Sequence, residues 1–202
     1  DRLKKVGSKF ESENSVWYAH KIRNNIAHEH GYKVDYNQAR HGMRLILWGL
    51  FKKIVVADNC GIYVDTIWND ISSQNASSLA FAAILFSFQI YGDFSGYSDI
   101  AIGSAKLFGI QLRENFRTPF FSRNVAELWR RWHISLTKWF VDYVYIPLGG
   151  SKKGKIKTIR NTIIIFLLCG FWHGANWTYI LWGLYCASTF IPSIITNTNR
   201  KY

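Results

Sequence analysis

From residue 161 to residue 199 the chain contains no Asp, Glu, Lys or Arg. A charge-free run of that length has room for two apolar helices, and neither would have the charged outer face of a soluble surface helix. The pattern predicts one helix over about 163–172 and another over 177–195, joined by His173, Gly174, Ala175 and Asn176. The first piece alone is too short for a bilayer, which needs ~20 residues, unless residues 157–162 extend it. The β-branched residues at 162–165 suit a strand as well, but their aromatic-rich surroundings favour helix. A second stretch, 71–92, is also free of charge and has the apolar core SLAFAAILFSFQIYG, which predicts a membrane helix.

Elsewhere the chain is strongly basic. Net charge is +12, mean hydropathy is close to zero and nine residues are Trp. A soluble domain rarely needs so many indoles, and a complete polytopic protein reads as more apolar. The combination predicts a membrane-embedded region with large basic surface segments. Residues 113–160 hold eleven Lys and Arg against three Asp and Glu, a net of +8. Such charge suits nucleic acid, anionic headgroups or an anionic substrate. The positive-inside bias places Lys152, Lys153, Lys155 and Lys157 on the cytoplasmic side. Residues 43–57, MRLILWGLFKKIVVA, predict an interfacial helix with Lys52 and Lys53 at headgroup level. The domain reading is a polar segment over 1–42 and a membrane domain over 43–202. The first residues are charged rather than apolar, so no signal peptide is expected.

Several side chains invite a chemical reading. His173 lies inside the longest charge-free stretch; a neutral imidazole there can titrate near pH 7 and act as a general base. Spacing alone leaves a core histidine that bonds a neighbouring helix equally open. Asn176 can hydrogen-bond an imidazole or a carbonyl. His133 sits in WRRWHIS between Trp132 and Ile134, with Arg130 and Arg131 able to bind a phosphate-bearing donor. An interfacial aromatic belt with snorkelling arginines explains the same residues. Asp93 and Asp99 are expensive at membrane depth. Their spacing puts them on different helical faces, which predicts separate ion pairs with Arg or Lys rather than an acid–base pair. Cys60, Cys169 and Cys186 form no CxxC pair and read as reduced packing residues, so Cys169 is not taken as a partner of His173. His20, His28, His30 and His41 show no zinc spacing, and no metal is expected.

Four stretches, in order, carry a resemblance: LWGLFKKIVVADN, QIYGDFSGYSDIAIGSAKLFGI, ENFRTPFFSRNVAELWRRWHISLTKWFVDYVYIPLGG and GFWHGANWTYILWGL. Together they resemble the membrane-bound O-acyltransferase family, and within it the alginate O-acetyltransferase branch. The resemblance implies an all-α, integral-membrane multi-helix bundle in the bacterial inner membrane. It implies transfer of an acetyl or other acyl group to a hydroxyl of a polysaccharide or cell-envelope acceptor. His173 falls on the family's essential histidine and His133 on its second polar position, with Trp172, Asn176, Arg130 and Arg131 as substrate-binding candidates. No bound cofactor is implied. The donor would be acetyl-CoA or another acyl thioester, and an extracytoplasmic acetyl-transfer protein would be a partner beside membrane lipid. After WGLY the branch continues with His–Gly, where this chain has Cys186 and Ala187.

Two other readings compete. One is a catalytically inactive, truncated membrane remnant. The other is a basic, aromatic-rich RNA-binding protein, since Arg23, Asn24 and His28 in KIRNNIAHEHG resemble the R-N-x3-H pattern of HEPN-type RNA-cleaving proteins. The charge-free run argues against the second, so no nucleic acid is expected as a partner.

Overall fold

The computed structural model describes residues 35–198, and every regular element among them is helical. The HEPN-like motif and His20, His28 and His30 lie outside the described residues. The chain divides into two compact units, the first ending at Arg113 and the second beginning at Glu114.

In the first unit, helix α1 (Tyr36–Leu50) starts where the Asp35 carboxylate accepts the Asn37 N–H at 3.1 Å. It continues without a break through a π-helical segment (Phe51–Ala57) into α2 (Asp58–Trp68). After a 3-10 turn (Ile71–Ser73), α3 (Ala76–Leu107) begins at Asn75, whose side chain accepts the Ser78 N–H at 2.8 Å. The expected membrane helix over 71–92 therefore starts later and runs further, through Asp93 and Asp99.

Glycine sets the packing of α1 on α3. Gly42 lies against Gly103 and Gly49 against Gly96, each pair about two turns from the other, so the helices run antiparallel. A Cβ at Gly49 would stand 2.5 Å from the Gly96 carbonyl oxygen, and one at Gly103 equally close to the Gly42 oxygen. Only bare backbone fits there. The other buried positions of α3 are mostly small as well (Ala82, Gly92, Ser95, Ser98), while Phe81, Ile84, Phe88 and Tyr97 are exposed. Small side chains inside and large apolar ones outside is the reverse of a water-soluble helix.

The lysines of the π-helical segment are both paired with carboxylates, and Lys52 is the more buried of the two. Lys52 Nζ meets Asp99 Oδ2 at 2.7 Å with both side chains largely buried, 12% and 22% exposed. Lys53 Nζ bridges Asp58 and Asp93, each at 2.6 Å. The two aspartates thus form separate ion pairs, as their spacing predicts, and the partners are lysines. The partners of both lysines are carboxylates: Asp99 and Asp93 on α3, and Asp58 at the start of α2.

In the second unit, a 3-10 turn (Pro119–Phe121) leads into two short helices, α4 (Val125–Arg131) and α5 (Ile134–Phe140). A π-helical turn (Val141–Tyr145) and a glycine loop follow. Buried Asn161 fastens that loop, donating from Nδ2 to the Gly150 carbonyl at 3.0 Å. The apolar run forms a hairpin of α6 (Lys155–His173) and α7 (Trp177–Ile195). The upstream extension of the first helix is therefore real, and the β-branched stretch is helical. Gly170 packs on the Tyr179 carbonyl and Gly183 on the Phe166 carbonyl, so this pair too is joined backbone to backbone. By length and composition, α3 and α7 can cross a membrane.

Removing the carboxylate charge of Asp99 leaves Lys52 buried without its counter-ion, a change that typically costs about 3–5 kcal/mol. Asp99→Asn should lower the amount of folded membrane protein more than the activity of each folded molecule. Normal abundance with activity lost would instead make Asp99 a chemical participant.

Candidate active site

His133 occupies the corner between α4 and α5 with φ of 43°, a left-handed conformation uncommon outside glycine. Hydrogen bonds define the corner from both helices. Trp132 N–H donates to the Leu128 carbonyl at 2.9 Å, ending α4, and the His133 carbonyl accepts from Thr137 N–H at 3.0 Å, starting α5. The segment 115–118 runs alongside. Asn115 accepts twice, through its carbonyl from Ile134 N–H at 3.0 Å and through Oδ1 from Ser135 N–H at 3.1 Å. Arg117 N–H donates to the Arg131 carbonyl at 3.0 Å.

A carboxylate locks the preceding helix. Glu127, whose side chain is only 5% exposed, accepts from Arg123 N–H at 3.0 Å and from Arg131 Nη2 at 2.6 Å. The Arg123 amide, followed by the Arg123 and Arg131 guanidinium groups, holds the Glu127 carboxyl down at about 2. Arg131 also reaches the Thr118 hydroxyl at 3.4 Å. Its guanidinium is thus engaged in building the corner, which does not suit the donor-binding role expected from sequence. Arg130 is exposed on the same helix.

His173 is the last residue of α6, and Trp172 links it to His133. The Trp172 ring lies edge-on to both imidazoles, with centroids 6.1 Å from His133 and 5.0 Å from His173. Trp182 of α7 stands edge-on to His173 at 5.2 Å and faces Trp129 of α4 at 6.3 Å. The corner and the hairpin thereby bring together two residues forty positions apart in sequence. His133 is half-buried; burial first, and the neighbouring His173 second, push its pKa down to about 4. It is therefore neutral at physiological pH, able to donate from one ring nitrogen and accept at the other. His173 and Trp172 are exposed.

The Tyr179 ring is seated against Gly174: a Cβ at Gly174 would lie 2.5 Å from it. The Asn176 side-chain oxygen caps α7, accepting from the Thr178 amide at 3.1 Å and hydroxyl at 3.2 Å, and so does not face an imidazole. Cys169 and Cys186 are buried and unpaired by disulfide, as packing residues are. Among the described residues no cluster of His, Cys, Asp or Glu can hold a metal ion. A surface depression lies along α1, between Arg40, Arg44 and Trp48, and includes neither His133 nor His173.

Sequence reasoning missed Asn115, Glu127 and Trp182. The Asn124-x-x-Glu127 pattern was a readable helix-start signal. Asn115 gave none, since its contacts arise only once the chain folds back.

Helices that approach through glycine and turn large apolar side chains outward are membrane helices, so the two imidazoles belong to a membrane protein. Residues 23–199 match the model of MBOAT, the membrane-bound O-acyltransferase family. The chain belongs to that family. It is 42% identical over 169 residues to the peptidoglycan O-acetyltransferase of Helicobacter pylori, covering 84% of this chain and 31% of the relative. Against the "Probable alginate O-acetylase AlgI" of Pseudomonas aeruginosa it is 42% identical, over 70% of this chain and 27% of the relative. The teichoic acid D-alanyltransferase of Streptococcus thermophilus is 34% identical, with coverages of 74% and 39%. The chain thus spans well under half the length of these relatives.

A histidine held neutral in the folded state disfavours folding as the unfolded chain begins to take up a proton. Stability contributed by neutral His133 is complete above its ordinary pKa of 6.5 and is lost progressively as pH falls from there towards 4. The melting temperature in detergent should therefore fall across that window, and less steeply in His133→Gln. Identical slopes would contradict the assignment.

Proposed function

We propose that this chain carries the histidine site of a membrane O-acyltransferase, which moves an acetyl or other acyl group from a thioester donor to a hydroxyl of a polysaccharide or cell-envelope acceptor. The observation that carries the reading is the convergence of His133 and His173 on Trp172, within the region that matches the family. The named relatives act on peptidoglycan, alginate and teichoic acid, which supports a polymeric hydroxyl acceptor. Family membership favours this reading over the RNA-binding one, and an activity assay separates it from an inactive remnant.

The chemistry follows from the weakness of a sugar hydroxyl as a nucleophile near neutral pH. Neutral His173 takes the hydroxyl proton as the oxygen attacks the thioester carbonyl carbon. The tetrahedral intermediate collapses with loss of the thiolate, and the imidazolium returns its proton to the leaving sulfur. Neutral His133 can donate a hydrogen bond to substrate or to the developing oxyanion. Arg130, exposed on α4, is the cationic side chain proposed to meet an anionic donor such as acetyl-CoA. The exposure of His173 and Trp172 fits a site that large substrates must reach. The site lies in a multi-pass protein of the bacterial inner membrane, where an extracytoplasmic partner receives the acyl group or completes its transfer.

His173→Ala should reduce acyl transfer at least ~100-fold, the usual scale of a lost general base, and His133→Ala should cost less. Acetylated product per amount of membrane-inserted protein, with variants matched for abundance, provides the test. Near-normal acetylation by His173→Ala would end the proposal. The loop carrying Lys152 and Lys153 faces the cytoplasm in this reading. Ser151→Cys should therefore resist impermeant thiol reagents in intact cells and react once they are opened; labelling from outside would reverse the orientation.

A further inference from the structure

We infer that Asn115 is the positioning residue of the histidine site: it holds the His133 corner in its left-handed conformation, so that the imidazole meets Trp172. The inference rests on the acyl-transfer reading only for its kinetic part. A left-handed non-glycine residue persists where its surroundings over-determine it, and the atoms that do so here can be named. The first two amides of α5, Ile134 N–H and Ser135 N–H, lie immediately after His133, and both donate to Asn115, one to its carbonyl and one to Oδ1. A helix start has orphan amides, and α5 lacks a capping side chain of its own, because its N-cap residue is His133. Asn115 supplies from a distant segment the acceptor that a local Ser or Asp ordinarily provides. The imidazole takes no part in capping α5.

Segment 115–118 is itself anchored on the opposite side of the corner. Arg117 N–H binds the Arg131 carbonyl, and the Arg131 guanidinium reaches back to Thr118. Thr118 is also left-handed, with φ of 45°. The two strained residues therefore sit on segments that restrain each other. Removal of the Asn115 side-chain acceptor frees the Ser135 amide and leaves the Ile134 bond to the Asn115 carbonyl as the remaining restraint after His133.

The test compares Asn115→Leu and the milder Asn115→Ala, which lack the acceptor, with Asn115→Asp, which keeps it. All are made in the protein expressed from its complete gene, inserted in membranes and matched for abundance. The first readout needs no activity: the rate at which diethyl pyrocarbonate modifies His133, mapped by mass spectrometry with His173 as the internal reference. His133 should react several-fold faster in the Leu and Ala variants and at the wild-type rate in the Asp variant. The second readout is kinetic. Misplacement of a reacting group by about 1 Å can cost up to 100-fold, so kcat should fall about 10-fold in Asn115→Ala with KM little changed, and Asp should restore it. In a His133→Ala background the Asn115 substitutions should have no further effect. Unchanged His133 reactivity in the Leu and Ala variants overturns the inference, as does a kcat loss that adds fully to that of His133→Ala. Altered reactivity in a wild-type protein that transfers no acyl group to any hydroxyl would uphold the role of Asn115 and defeat the acyl-transfer reading.

Discussion

Direct contact between helix backbones is the constraint on which the rest of this structure depends. Where Gly49 meets Gly96 and Gly170 meets Tyr179 there is no layer of side chains between the helices. In water, helices associate by burying large apolar groups; in lipid that drive is absent, and close approach with dense van der Waals contact takes its place. Once the interior is built from glycine, alanine and serine, the large side chains have nowhere to go but outward. The same constraint accounts for the buried Lys52–Asp99 pair. A charge at that depth persists only beside its opposite, and the glycine-lined crossing brings α3 near enough to supply it.

The histidine site grows from a different principle. It is made at a corner and at a helix end, the two places where a chain leaves regular hydrogen bonding. Polar groups normally saturated inside a helix become available there, and neighbouring segments must satisfy them. Glu127 saturates one side of the corner with two arginines, and Asn115 saturates the other. Indole rings then stand between corner and hairpin, edge-on to the imidazoles, and the only polar group each brings is its Nε1–H. Two imidazoles can thus stand close together while one of them stays neutral.

Sequence periodicity and charge exposed the helices well because lipid imposes a simple rule on composition. In the hairpin over the uncharged run the turn and the second helix were legible nearly to the residue, since Gly174 and Asn176 mark the turn, whereas the first helix begins upstream, at Lys155. The ion pairing of Lys52 and Lys53 was not legible: a lysine pair in an apolar stretch carries no mark of its partners, and only folding brings the carboxylates of α2 and α3 to them. For the site, His133, His173 and Trp172 could be read from motif, but not that the Trp172 indole joins the two imidazoles. The contacts that Arg131 and Asn176 make within the fold were not legible, for one reason. Both residues have chemistry suited to substrate, and both are drawn instead to unsatisfied groups nearby, a carboxylate and a helix start.

The brevity of the turn between α6 and α7 has a mechanical meaning. His173 ends one helix and Trp177 begins the next, with Asn176 clamped to the first turn of α7 and the Tyr179 ring seated against Gly174. No slack remains between the imidazole and the second helix. At 1.5 Å per residue, the 19 residues of α7 make a rigid arm about 28 Å long. The hairpin is therefore a lever with its fulcrum beside His173, and the angle of that arm is written directly into where the imidazole points.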